Sequence, residues 1–99
     1  MIDLSGVAAG LPSAWSSTVL AKVGDAAVKV LRMEDTPLKE ESHSHDEALL
    51  VVDGTLPLLV GGESVTLSAG QMYVVPAGVA HSVPSGSRGT LVIIEVPED

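Results

Sequence analysis

With 99 residues, 13 acidic against five basic side chains and a formal net charge of −8, the chain has room for one domain and offers no basic footprint. Neither a nucleic acid nor a membrane surface is therefore an expected partner. The absence of cysteine excludes a disulfide framework, a thiolate nucleophile and a zinc site of the Cys type.

The opening stretch MIDLSGVAAGLPSAW is acidic where a secretory signal is basic, and no apolar run approaches the roughly 18 residues that span a bilayer. A cytoplasmic protein is expected. Residues 1–17 read as a lead-in segment, with one helical turn or a loose strand between Leu4 and Ser17, and residues 18–99 as a single domain. Beyond the lead-in, short apolar runs are broken by turn chemistry about every 8 to 12 residues, the rhythm of an all-β chain. Strands are predicted at Thr18–Val23 and Ala26–Met33, joined at Gly24-Asp25, and a polar loop over Glu34–Ser42 follows them. The next two, His43–Val52 and Thr55–Val60, are separated by Asp53-Gly54, a dipeptide suited to a two-residue hairpin turn. Gly61-Gly62 is a second such turn.

Glu63–Leu67, Gln71–Val75, Val79–Val83 and Thr90–Val96 complete about eight antiparallel strands with little helix. So many short strands in one small domain must close into a barrel or a pair of packed sheets to limit their edges. Pro57 lacks an amide donor and belongs at an edge or a bulge. Hydrophobic residues make up 45 % of the chain and aromatics only 2 %, so the core must be aliphatic. Trp15, Tyr73, Met33 and Met72 read as packing residues, and Arg88 as a solvated one. Apolar residues are abundant enough to leave a face uncovered, and a homodimer is expected.

The chemistry gathers in the run KEESHSHDEALLVVDG, where Glu41, His43, His45 and Glu47 alternate. On a strand, alternate residues share a face. Same-face neighbours lie roughly 6.6 Å apart, so Glu41 to Glu47 spans roughly 20 Å, too far for one ion with bonds near ~2.1 Å. The compact set His43, His45 and Glu47, joined by His81, is the predicted metal site, with Glu41 at the rim. By parity Leu49 and Val51 face the same way and give the site an aliphatic floor.

The segment GQMYVVPAGVAHSVPS resembles the second motif of the cupin family, in which a glycine, a Pro-x-Gly turn and a metal-binding histidine fall on Gly70, Pro76, Gly78 and His81. Ser85 stands where the family has an asparagine. The first motif is matched by Glu47 and Gly54. Counted back from Glu47 without a gap, its two histidine positions fall on His43 and Glu41; reading His43 and His45 as the pair requires a two-residue deletion. Glu41 thus stays open as an alternative to His45.

The resemblance covers roughly residues 41–85 and is to the small single-domain bacterial type. It implies an antiparallel double-stranded β-helix, or jelly-roll, barrel with a small-molecule pocket in its mouth. Imidazoles with a carboxylate suit a divalent first-row metal ion: Mn, Fe, Co, Ni or Zn. The expected function is a stand-alone cupin that binds such an ion and a small-molecule ligand. The alternatives are a metal-dependent enzyme, dioxygenase or isomerase, and a noncatalytic binding or sensor protein without metal, because fold alone does not choose among them.

Overall fold

One short helix precedes eight strands in the computed structural model, which describes residues 1–98. They are α1 (Leu4–Ala9), β1 (Thr18–Val23), β2 (Ala26–Met33), β3 (Leu38–Glu41), β4 (Glu47–Val60), β5 (Glu63–Ser68), β6 (Met72–Val75), β7 (His81–Val83) and β8 (Arg88–Glu95). Every pairing is antiparallel. The sheet runs β1-β2-β8-β4-β7-β3, with β5 and β6 also laid against β4. It curls into the all-β barrel that the turn rhythm predicts.

The largest departure from the sequence reading is at Asp53-Gly54, which is no hairpin turn: β4 runs unbroken through it for 14 residues. The positive φ of Gly54, 84°, serves a bulge instead, marked by a slip in the β4–β8 register between Val51 and Asp53. A bulge bends a strand and increases its twist. Here it lets β4 pair with β6 and β8 over its first half and with β5 and β7 over its second. Close approach adds a second demand for glycine. Gly54 faces Gly89, and a Cβ on Gly54 would lie 2.0 Å from the Arg88 carbonyl oxygen.

Beyond the bend, β4 has left β8 after Thr55 and not yet met β7 at Leu59. Pro57 falls in that interval, so on that side it faces no ladder partner. Two other differences bear on the site. Leu38–Glu41, read as loop, forms β3, and His43–Asp46, read as the start of a strand, is loop before β4.

Inside the barrel, Leu49, Val51, Leu56, Leu58, Leu91 and their neighbours form one buried aliphatic cluster, against which Trp15 and Tyr73 pack. A second, smaller cluster lies outside, where Ala8 of α1 covers Val30 and Val92. This helix is short and held at both ends. The Asp3 side chain accepts from the Gly6 N–H, and Arg32 donates to the carbonyls of Ala8 and Leu11 at 3.1 and 2.9 Å, supplying partners that helix termini lack.

Candidate metal centre

Two loops distant in sequence meet at one end of the barrel. The turn Pro76-Ala77-Gly78 presents successive backbone N–H groups: Ala77 donates to Asp46 Oδ1 at 2.9 Å, and Gly78 donates to the carbonyl of His43 at 2.8 Å. Gly78 adopts φ 78°, a region that favours glycine. The C-terminal segment holds the same histidine loop from the other side. Both the backbone N–H and the hydroxyl of Ser44 donate to the Glu98 carboxylate, at 2.7 and 2.6 Å. Those bonds hold the Glu98 carboxyl below the usual range. They also fix the backbone on either side of the His43 ring.

His43, Glu47 and His81 offer three donor atoms that all lie within 4.8 Å of one another. His81 Nε2 is 3.3 Å from Glu47 Oε1, and His43 Nε2 is 3.8 Å from Glu47 Oε2. Two donors bound to one ion at about 2.1 Å each are at most about 4.2 Å apart, so both separations fit a shared ion. The tautomer fits as well. With His81 Nδ1–H donating to the Val79 carbonyl at 3.2 Å, Nε2 keeps its lone pair free for a metal.

Glu47 and His81 are buried, and burying a carboxylate beside another one is costly. On the ladder Glu47 stands directly opposite Glu95, an inward like-charge pair that would repel if both were ionised. The pair divides its charge. Burial, reinforced by the hydrogen bond to Glu95 and by the charges of Glu95 and Glu41, pushes Glu47 up to about 8. Burial acts on Glu95 in the same sense but is outweighed by its hydrogen bonds with Glu47 and Lys29, which hold it below the usual range. Lys29 Nζ meets Glu95 Oε1 at 2.9 Å. In the metal-free chain the arrangement is therefore a neutral Glu47 carboxyl hydrogen-bonded to a Glu95 carboxylate that is paired with a lysine.

These groups share an interior cavity of about 210 Å³, whose other walls are mostly aliphatic side chains such as Leu31, Leu49 and Leu91. That is room for several waters or a small metabolite.

The family model for the cupin domain matches residues 30–97 of the chain. This chain belongs to the cupin family. It is 30 % identical to a cupin-2 domain-containing protein from Shewanella frigidimarina, with a TM-score of 0.88 and 97 % of this chain and 94 % of that one covered. A protein from Neisseria meningitidis is 24 % identical, with a TM-score of 0.84 over 98 % of this chain and 99 % of that one. The EutQ protein of Clostridium difficile, at 21 % identity, has a TM-score of 0.72 over 99 % of this chain and 76 % of that one, a likeness of fold. No curated protein matches the chain significantly.

Of the four side chains singled out from the cupin sequence, the structure brings together His43, Glu47 and His81 and leaves His45 exposed, outside the group. The reason is local: alternation puts residues on one face only in a strand, and His43 to Asp46 are loop. Glu41 sits at the end of β3 opposite His81. Its carboxylate is 3.7 Å from His43 Nε2 with its side chain 59 % exposed, a rim position nearer the group than that of His45. Sequence reading missed Glu95 and Lys29. The alternation of Leu91, Ile93 and Glu95 along β8 was the signal for Glu95, and its weak point was the position of Glu95 at the strand end.

Proposed function

We propose that this cupin binds a divalent first-row metal ion through His43, Glu47 and His81, and a small oxygen-bearing ligand in the cavity beside it. The observation that carries the reading is the convergence of three donor atoms, brought from one loop and the starts of two strands, into one largely buried cluster. Donors of two imidazoles and one carboxylate suit Mn, Fe, Co, Ni or Zn. A bound ion would act as a Lewis acid with coordination positions left for water or ligand oxygens. The chain's own part is to hold the donors. The Val79 carbonyl orients His81, the Gly78 N–H and Glu98 fix the loop of His43, and Glu47 must yield its proton to bind, with Glu95 as its hydrogen-bond partner.

Elemental analysis of protein purified without chelators tests this. About one metal per chain is expected in the wild type and in His45→Ala, and most of it lost in His81→Ala and His43→Ala. Retention of stoichiometric metal by His81→Ala would refute the assignment.

The proposal includes a homodimer. An apolar row crosses the outer barrel face through the ladder partners Val74, Ala48, Ile94 and Val28, with Met72 and Leu50 beside it. Met72 and Val74 are 56 % and 48 % exposed, and a second copy of the same face is a partner that would cover them.

A further inference from the structure

We propose that Trp15 is a ligand-contacting residue whose indole N–H donates to an acceptor oxygen of a small metal-chelating molecule in the barrel cavity. This rests on the metal-binding reading above and names the group that would recognise the far end of such a molecule.

Trp15 lies in the segment between α1 and β1, the stretch that passes from the outside of the sheet to the cavity. Among the described residues it is the one non-glycine residue in the left-handed region, with φ 63°, a backbone state that a bulky side chain adopts only when its surroundings impose it. What imposes it is visible. The Trp15 backbone N–H donates to the Arg32 carbonyl at 2.9 Å, and the ring packs against the interior aliphatic cluster. The side chain thereby becomes a wall of the cavity that also contains His43, Glu47 and His81.

Packing alone does not account for the polar end of this ring. Indole Nε1 is buried and has no hydrogen-bond partner among the described residues. A buried donor left unpaired costs about 1–3 kcal/mol, and buried indoles ordinarily find an acceptor. A phenyl ring or a leucine would fill the same space without that cost. The hydroxyl of Ser17, which also lines the cavity, does not accept from the indole, and the carboxylates of Glu95 and Glu47 are engaged with Lys29 and His81. An oxygen of a bound molecule would satisfy the indole.

The charges narrow the ligand class. Three carboxylates, Glu41, Glu47 and Glu95, line the cavity and no lysine or arginine does, so the metal is the one cation available to an anionic ligand, and the indole N–H is a donor left for its far oxygen. The molecule that fits is small, chelates the ion through oxygen at one end and presents a carbonyl or carboxylate oxygen at the other.

Oxalate, malonate and succinate serve as a ruler for that span. Each is titrated into the full-length, zinc-loaded protein by calorimetry and, with ¹⁵N labelling, by NMR, where the single tryptophan gives one indole N–H resonance. At least one dicarboxylate is expected to bind, to move that resonance downfield, and to bind about tenfold more weakly to Trp15→Phe, whose zinc content stays that of the wild type. The proposal is overturned if no dicarboxylate binds, if the indole resonance stays in place at saturation, or if Trp15→Phe binds as tightly as the wild type. Should Trp15→Phe fail to fold, the wild-type resonance decides alone. Failure to load zinc refutes the metal reading separately. The ligand proposal, which rests on that ion, falls with it.

Discussion

Replacing Glu47 with glutamine tests the electrostatic account of the site without any metal. In the folded chain the Glu47 carboxyl is pushed up to about 8 from an ordinary value of 4.5. Between those limits the folded state holds a proton that the unfolded state has released, so stability falls as pH rises through the window. One proton changes the free energy of unfolding by about 1.4 kcal/mol per pH unit at its steepest, which accumulates to on the order of 4 kcal/mol between pH 4.5 and 8. Glu95 does not offset this. Its pKa is lowered, so the stability it contributes is complete above about pH 4.5 and is lost only below it. Glutamine keeps the shape and the hydrogen bond to Glu95 but has no proton to lose. Urea unfolding in the presence of a chelator, at pH 5, 6, 7 and 8, should show the wild type weakening across the series and Glu47→Gln with that slope removed, more stable than the wild type at pH 8. Parallel pH dependence in the two proteins would refute the neutral Glu47.

The same proton bears on metal. Because a ligating carboxylate must be ionised, zinc affinity of the wild type should keep rising with pH up to about 8, beyond the range in which free imidazoles titrate; calorimetry at pH 6, 7 and 8 reads it, and a plateau above pH 7 would count against it. Glu98→Ala frees the loop that carries His43 and should weaken zinc binding by about tenfold, the usual effect of removing a group that orients a ligand, with little change in thermal stability. Gly54→Ala places a methyl 2.0 Å from the Arg88 carbonyl oxygen at φ 84° and should lower stability by roughly 3 kcal/mol or prevent folding, read by chemical denaturation. Light scattering at micromolar concentration should give about twice the 10.1 kDa of one chain, and the charged substitution Val74→Glu on the outer face should restore the monomer mass.

The strands that were legible in the sequence are those whose turns are punctuated by glycine and whose partners are near in sequence. Thr18–Val23 and Ala26–Met33 flank Gly24-Asp25, and the structure places both with the predicted bounds. Asp53-Gly54 carries the same local signal and misleads. A positive φ serves a hairpin turn and a bulge equally well, and what selects the bulge is Gly89, 35 positions away, pressed against Gly54. No local window holds that information. β3 escaped for a related reason: Leu38–Glu41 is largely exposed, so it shows no apolar alternation and owes its strand form to pairing with β7.

The site divides along the same line. His81 was legible because Pro76-Ala77-Gly78 fixes its approach by local backbone geometry, and Glu47 because it opens a strand whose inner face continues through Leu49 and Val51. His45 is not legible by alternation, because the fold makes residues 43–46 a loop shaped by partners on Gly78, Ala77 and Glu98, none of them adjacent. Trp15 is the extreme case. Sequence reading makes it a packing residue, and it does pack; its unpaired indole N–H becomes apparent only in the assembled barrel, where the lead-in segment is bonded back to Arg32 and Trp15 forms part of the cavity wall. Residues whose role is set by their own neighbours in sequence could be read in advance, whereas those whose role is set by the meeting of remote segments, Trp15, Glu95 and Lys29 among them, required the barrel.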